Sequence, residues 1–337
     1  MAQLIPGLAA AGLIALASNI IHSAIVIGGQ KPVSAVVIAI ITGMVLRGLL
    51  GPKPVLGPGL AFSVKRILKL AIILLGFDLQ LRAVFQTGTG TLGVIVFVVA
   101  AGILITVYIG RLLGLREELS MLVGTGTAIC GATAIVAAAP AVGADDSDIS
   151  YAIGTITIFG ILAIFVYPAI GKALAMSDSQ FGTWAGTAVH ETAQVLAAGF
   201  SYSEAAGKIA AVVKLVRTTL LAPLVFILGA VHYRRKSRSA RFDFRQAMQS
   251  FPYFVLWFLA ASVARTLAEP VLGTNPVYAS FMAQAKEASK LLIVVAMAAT
   301  GLMTDFSRMK KVGFGPAIAG LAASVVVGAL SLALIML

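Results

Sequence analysis

The stretch GTGTAICGATAIVAAAP, from Gly124 to Pro140, decides how the rest of the chain is interpreted. It lies in an apolar region, yet it contains three glycines, three threonines and Cys130, the one cysteine of the chain. Glycines and small hydroxyl residues are tolerated at membrane depth where the backbone is buried in protein or lines a cavity. Discontinuous helices of this kind build substrate sites in transporters. The stretch therefore predicts a broken membrane helix at a candidate binding site.

The same pattern recurs about sixty residues later in the chain. The run GTAICGATA, from Gly126 to Ala134, resembles GTAVHETA, from Gly186 to Ala193. An ordinary apolar span follows each copy, at about residues 149–170 and 205–231. A duplicated, glycine-broken segment is the best sequence pointer to a transport site. If the two segments re-enter the membrane, the copies are inverted; if they cross it, the copies are parallel. The sequence leaves both possibilities open.

The composition places the chain in the membrane. Of its 337 residues, 59% are hydrophobic and 11% are charged, whereas globular proteins have about 25% charged residues. A span needs about 20 apolar residues, and eleven segments qualify if the two broken ones are counted. The prediction is an all-α integral membrane protein with about 9–11 transmembrane segments. Two of these are glycine-broken, and each of the two either crosses the membrane or re-enters it.

The basic residues predict the orientation. They cluster in short loops, as the positive-inside rule requires, so the net charge of +12 is interpreted as a membrane feature and not as a nucleic-acid interface. The clusters from Arg234 to Arg245 and from Arg308 to Lys311 are assigned to the cytoplasm. This assignment gives a multi-pass protein with a cytoplasmic N-terminus and an outside C-terminus.

Four motifs carry a resemblance to a known family: GTGTAICGATAIVAAAP, GTWAGTAVHETAQVLAAG, KLVRTTLLAP and GLMTDFSRMKKVG. At these motifs the chain resembles the YeiH-like family of bacterial membrane proteins, described as sulfate exporters, and the resemblance covers essentially the whole chain. It implies a secondary transporter of the inner membrane, related to the cation/proton antiporter and anion transporter superfamily. The implied fold has inverted repeats and a core-plus-scaffold architecture, in which the core moves against the scaffold. It also suggests sulfate, sulfite or an organosulfonate as substrate, although no spacing or composition identifies sulfur.

The expected division of the chain follows from the broken segments and this resemblance. The predicted ranges are 1–59 and 246–282 for the scaffold, 60–233 and 283–337 for the core, and 117–141 and 181–204 for the broken segments. The scaffold spans are candidate surfaces for a homodimer, by resemblance only.

Ionisable residues inside spans are functional candidates because each costs roughly 2.5–3.5 kcal/mol on insertion scales. His190 and Glu191 lie in the second broken segment and are candidates for proton coupling. Lys214 and Arg217 lie three residues apart in the next span, hence on one helix face. Two positive charges at membrane depth could bind an oxyanion. The predicted substrate-binding residues are Gly126, Thr127, Cys130, Gly131, Thr133, Thr187, His190, Glu191, Thr192, Lys214 and Arg217.

Each of these residues also has a purely structural interpretation. Lys214 and Arg217 could pair with Glu191, and His190 could be a satisfied buried histidine. The threonine hydroxyls could bond carbonyls one turn earlier in their own helices, and Cys130 could pack as a small residue. These alternatives do not exclude a binding role.

The leading functional prediction is a secondary transporter of small inorganic or organic anions. We expect it to export a sulfur oxyanion by elevator-like alternating access, either coupled to protons or driven by the membrane potential. The alternatives are an anion channel of the same fold and a cation/proton antiporter. No nucleophile motif, phosphate-binding GxxxxGK[ST] loop or metal-ligand cluster occurs in the sequence. We therefore expect no enzymatic activity, no cofactor and no metal, and the expected partners are a small anion and the lipid bilayer.

Overall fold

The computed structural model describes residues 2–25, 34–79, 81–236, 253–304 and 314–337. Within these ranges the structure is built from helices, and no strand is present. The α-helices are α1 (Ile5–Ala24), α2 (Ala35–Leu50), α3 (Gly57–Phe62), α4 (Leu68–Leu75), α5 (Leu81–Leu112), α6 (Glu117–Ala128), α7 (Ala132–Val142), α8 (Asp146–Ala173), α9 (Asp178–Ala188), α10 (Thr192–Tyr202), α11 (Glu204–Thr219), α12 (Leu221–Lys236), α13 (Phe254–Leu272), α14 (Pro276–Met303) and α15 (Phe314–Met336). A short π-helical segment, Ser63–Ile67, joins α3 to α4.

The length and apolarity of its helices identify the protein as an all-α, multi-pass integral membrane protein, as the sequence predicts. Six stretches in the described ranges are long and apolar enough to cross a membrane: Ile5–Ala24, Thr91–Leu112, Asp146–Ala173, Glu204–Ala230, Phe254–Leu272 and Phe314–Met336. The predicted 9–11 segments also count the broken pair and other helices of these ranges, among them the 28-residue α14, which do not meet this criterion. The basic residues from Arg238 to Arg245 and from Arg308 to Lys311, used for the predicted orientation, lie outside the described residues.

The chain divides into two compact units, residues 1–86 with 253–306, and residues 87–252 with 307–337. In the first unit, α14 packs against α1, α2 and α4. Its contact with α2 is backbone to backbone, since a Cβ on Gly43 would lie 2.6 Å from the Ala298 carbonyl oxygen. Helices α4 and α14, predicted to belong to the core, thus cluster with α1 and α2. The scaffold and core labels describe motion in transport and stay predictions.

The second unit contains both broken segments, and the first one folds back on itself as a helical hairpin. Arg116 precedes α6 and Asp145 follows α7, yet Arg116 Nη1 lies 2.5 Å from Asp145 Oδ2 and 3.1 Å from Asp148 Oδ2. Nearer the tip, a Cβ on Gly126 of α6 would meet Ile135 Cδ1 of α7 at 2.7 Å. A straight helix would separate these two positions by about 13 Å. The two halves therefore lie side by side.

The second broken segment is also a hairpin. The rings of Phe181, at the start of α9, and Tyr202, at the end of α10, stack with centroids 4.0 Å apart. Ser203 Oγ donates to Asp178 Oδ1 at 2.6 Å, which closes the base of the hairpin. A continuous helix would place the two rings roughly 30 Å apart. These contacts decide between the two possibilities that the sequence left open, in favour of re-entry.

The two hairpins start from opposite ends of α8. With 28 residues, α8 is about 42 Å long, enough to cross a hydrocarbon layer of about 30 Å. The first hairpin has its base at the N-terminal end of α8, through Arg116 and Asp148, and the second at the C-terminal end, where the Tyr202 hydroxyl donates to the Met176 carbonyl. Each hairpin half has 11 or 12 residues, or about 17 Å, which is half of that layer. The tips of the two inverted hairpins therefore meet near its middle.

Candidate functional site

The buried guanidinium of Arg217 links the C-terminal ends of α6 and α9, which are the first helices of the two hairpins. Arg217 Nε donates to the Ala128 carbonyl at 2.5 Å, and Nη2 donates to the Thr127 carbonyl, both at the C-terminus of α6. Nη1 donates to Gly186 at 3.4 Å and to Val189 at 3.0 Å, at the C-terminus of α9. The last carbonyls of a helix have no partner within it. Arg217 therefore caps both helices at once.

The ammonium of Lys214, one turn earlier on α11, binds backbone carbonyls at the tips of both hairpins. Lys214 Nζ donates to the carbonyls of Ile129 at 2.8 Å and Val189 at 3.0 Å, and also to the carbonyl of His190. These bonds use all three donors of an ammonium group. The side chains of Lys214 and Arg217 are both 0% exposed, so backbone oxygens replace water around them.

The position of these cations agrees with the electrostatics of helix ends. A helix C-terminus carries about half a negative charge, and here two C-termini converge on two positive side chains. Between described residues, no ion pair within 4.0 Å joins Glu191 to Lys214 or Arg217, so the pairing considered from the sequence is not the arrangement found. The cations instead hold the two hairpins together through backbone carbonyls.

The carboxylate of Glu191 lies at the N-termini of α7 and α10, which are the second helices of the two hairpins. Glu191 precedes α10, and its Oε1 accepts from the Ala132 backbone N–H at 3.4 Å, at the first residue of α7. Its Cγ packs directly against Gly131, the residue before α7. Gly131 has φ of +73°, a region that favours glycine. The tip of the first hairpin thus needs a glycine both for its backbone and for the space that Glu191 fills.

The Gly131→Ala variant is expected to lose about 1–3 kcal/mol from the backbone strain alone, and the added methyl group should also push the Glu191 side chain away from α7. Thermal unfolding of purified protein measures the loss. Gly93→Ala is the matched control, since a Cβ there meets open space. In a Glu191→Ala background the steric part of the loss should disappear. An equal loss in both backgrounds would show that Glu191 does not fill this space.

His190 is fixed by its ring and by its backbone. His190 Nε2 lies 2.7 Å from Ser324 Oγ, and the Ser324 hydroxyl donates to the Gly320 carbonyl at 2.7 Å. A hydroxyl has one proton, so Nε2 is the donor in this pair and the ring is the Nε2–H tautomer. Nδ1 is buried and has no hydrogen-bond partner among the described residues. The arrangement describes a neutral imidazole between the second hairpin and α15.

The predicted threonine, glycine and cysteine residues of the site are either buried or at least partly exposed. Thr187 is occupied, because its hydroxyl donates to the Thr183 carbonyl at 2.7 Å and also contacts Ser331. Thr127 Oγ1 is buried, and no group in the described part of the chain forms a hydrogen bond with it. Gly126 and Cys130 are buried in the first hairpin, whereas Thr133 is exposed. Thr192 and Glu191 are partly exposed, so the accessible members of the predicted set lie on the side of the helix N-termini.

Charge at the base of the first hairpin lies outside the apolar segments. Asp145 accepts hydrogen bonds from Ser147 at 2.6 Å, from Arg116 at 2.5 Å and from the Asp148 backbone N–H at 2.9 Å. These donors, with Ser147 contributing most, hold the pKa of the Asp145 carboxyl below its ordinary value. The base of the hairpin is therefore held by an ionised carboxylate.

Three partners of the site were not identified from the sequence. Gln194 Oε1 accepts from the Glu191 backbone N–H at 3.1 Å, and Ser324 and Ser331 of α15 contact His190 and Thr187. The motif HETAQ places Gln194 one turn after Glu191, the spacing of a capping residue, so Gln194 could have been found. The serines lie more than 130 positions away in the sequence, and no local pattern connects them to the hairpin.

Comparison with known proteins places the chain in a family. The family model "Conserved hypothetical protein 698" matches residues 6–320, and the chain belongs to this family. A UPF0324 membrane protein of Clostridium tetani is 36% identical over 306 residues, which are 88% of this chain and 87% of the relative. UPF0324 membrane proteins of Streptococcus pneumoniae and Bartonella henselae are 36% and 32% identical, over 85% and 92% of this chain and 84% and 85% of their own lengths. These names describe membrane proteins, which agrees with the fold.

Proposed function

We propose that this member of the Conserved hypothetical protein 698 family is a secondary transporter of small anions, which bind where the two hairpin tips meet. One observation carries the proposal: Lys214 and Arg217 occupy the C-terminal ends of the broken helices. In transporters with broken helices, these ends and the unwound carbonyls hold cations, and the helix N-termini point at anionic groups. Here the cation positions are filled by the protein itself, which leaves the N-termini for an anion.

Accessibility supports the same assignment. Lys214 and Arg217 are buried, whereas Ala132 and Thr133 of α7 and Glu191 and Thr192 at α10 are at least partly exposed. Helix N-termini attract anions through free N–H groups and the helix dipole. In this proposal the anion contacts backbone N–H groups and threonine hydroxyls. The two buried cations act on it through their charge, since their donors are directed to carbonyls.

The substrate and the direction of transport come from the family resemblance. The proposed substrate is a sulfur oxyanion such as sulfate, sulfite or an organosulfonate, exported by alternating access across the cytoplasmic membrane of a bacterium. Such anions have several acceptor oxygens, which match the donors of helix N-termini. Inverted hairpins whose tips meet near the middle of the membrane support alternating access, because the one site can open to either side.

The experiment is counterflow into proteoliposomes that contain the purified protein. Vesicles loaded with unlabelled sulfate are diluted into labelled sulfate, with the membrane potential clamped at zero. We expect a transient accumulation of label above its equilibrium level, because a carrier exchanges the two pools through one site. A channel of the same fold would equilibrate the label without an overshoot. Sulfite and methanesulfonate are tested in the same way, with protein-free vesicles as the control.

Two outcomes would contradict the proposal. The first is the absence of counterflow for every anion tested with protein that is folded and correctly inserted. The second is proton movement driven by a Na⁺ or K⁺ gradient without any anion flux, the behaviour of a cation/proton antiporter. The two cations in the carbonyl-lined positions argue against that alternative, because a third cation there would be repelled.

A further inference from the structure

Two basic side chains, Lys214 and Arg217, and one acidic side chain, Glu191, meet at the hairpin tips. Lys214 donates to the carbonyl of His190, the residue directly before Glu191, and Arg217 donates to Val189 one residue earlier. The Glu191 carboxylate lies on the other side of the same tip, at the N-terminus of α7. With all three groups ionised, the cluster carries one net positive charge.

The other titratable groups around Glu191 do not alter this charge. They come from each element packed around the tips: Cys130 from the first hairpin, His190 from the second and Tyr167 from α8, whose ring stacks on Trp184 of α9. The hydrogen bonds of His190 describe a neutral ring. A buried thiol and a buried phenol are neutral in apolar surroundings. Helix α15 faces these groups with Ser324, Ser331 and the Gly328 carbonyl, none of which is titratable.

Glu191 differs from the two cations in its access and in its hydrogen bonding. It is partly exposed, whereas Lys214 and Arg217 are fully buried. Its carboxylate accepts from two backbone N–H groups, that of Ala132 at a long 3.4 Å and that of Gln194 in the capping box of α10, while the cations make seven bonds to backbone carbonyls. The cations therefore keep their charge as part of the fold, and Glu191 is the group that can exchange a proton when an anion arrives.

We propose that Glu191 sets the charge of the bound anion, so that a monoanion binds with Glu191 ionised and a dianion binds together with one proton on Glu191. In both complexes the two negative charges balance the two positive charges of Lys214 and Arg217. The inference rests on the proposed function and specifies its substrate and its coupling. A dianion beside an ionised Glu191 would leave an uncompensated negative charge at membrane depth, which is strongly unfavourable.

The Glu191 carboxylate also competes with the substrate for the same N–H groups. In the structure it accepts from Ala132 at the start of α7, where an anion would be attracted for the same electrostatic reason. Protonation removes the negative charge and weakens this hydrogen bond. Proton uptake thus both releases the helix N-terminus and restores charge balance for a dianion.

Sulfate and methanesulfonate form a matched pair of probes, because both are tetrahedral sulfur oxyanions but they carry two charges and one. Titration calorimetry in two buffers of different ionisation enthalpy counts the protons bound with each anion. For the wild-type protein we expect one proton with sulfate and none with methanesulfonate. On the alkaline side of the Glu191 titration, sulfate affinity should fall about tenfold per pH unit, while methanesulfonate affinity stays constant.

In Glu191→Gln we expect sulfate to bind without proton uptake and without this pH dependence. Its preference for sulfate over methanesulfonate should rise at least tenfold at alkaline pH. Glu204→Gln, the same change at the start of α11, is the control and should behave as the wild type, since Glu204 lies about 15 Å from Lys214 along the helix. Far-ultraviolet circular dichroism and size-exclusion chromatography establish that both variants are folded.

The outcomes separate this inference from the proposed function. If neither anion binds to folded wild-type protein, the assignment of an anion site fails. If both bind but sulfate takes up no proton, or if Glu191→Gln retains the proton uptake, the anion site stands and the role of Glu191 is wrong. An equal proton uptake with both anions would also contradict it, because the inferred coupling depends on the charge of the anion.

Discussion

Replacement of Arg217 by methionine is expected to destabilise the protein by about 3–5 kcal/mol, the size of effect seen when one member of a buried charged arrangement is removed. Arg217 binds four carbonyls. Between described residues, only the carbonyl of Val189 has a second side-chain donor, Lys214. An unsatisfied buried acceptor costs about 1–3 kcal/mol. Methionine fills much of the volume but provides no donor. The melting temperature of detergent-solubilised protein should fall by roughly 10 °C.

Two substitutions make this result specific. Arg217→Lys retains the charge but has three donors for four carbonyls, so its stability should lie between that of the wild type and that of Arg217→Met. Lys208→Met, on the same helix, removes an (i, i+4) pair with Glu204 at 3.1 Å, which is worth only about 0.3–0.5 kcal/mol. If Arg217→Met were as stable as Lys208→Met but had lost anion binding, the guanidinium would be a ligand for the substrate and not a cap.

The position of the first helix break was predictable from its local chemistry, and that of the second from the likeness of its sequence to the first. Glycine at 131 permits a positive φ. The predicted segments 117–141 and 181–204 overlap the helix pairs α6–α7, which spans residues 117–142, and α9–α10, which spans residues 178–202. Lys214 and Arg217 stood out because charge at membrane depth is expensive. Their spacing also predicted correctly that they share one face of α11.

The direction of the chain after each break was not predictable. An apolar segment has the same composition whether it continues across the membrane or returns. The decisive contacts join residues far apart in sequence, such as Arg116 with Asp145 and Phe181 with Tyr202. The role of the cations was hidden for a similar reason. Their partners are backbone carbonyls, which every residue has and which leave no signature in a sequence.

The hairpin fold predicts which positions reach the same side of the membrane. In a background where Cys130 is replaced by alanine, single cysteines are placed at Leu113 and Asp146, on either side of the first hairpin, and at Ser179 and Glu204, on either side of the second. All four positions are exposed. We expect an impermeant maleimide to label the cysteines at 113 and 146 from one face, and those at 179 and 204 from the opposite face.

Hairpins and crossing segments predict opposite labelling patterns for each pair of cysteines. If the broken segments crossed the membrane, the cysteines at 113 and 146 would be labelled from opposite faces, and so would those at 179 and 204. The pairs alone decide the matter, whichever face is cytoplasmic. The folded-back arrangement is also the one in which two helices of about 17 Å can enter a layer of about 30 Å from each side and meet. Labelling of each pair from a single face would therefore place Lys214, Arg217 and Glu191 at the middle of the membrane, where a site can be reached from both sides in turn.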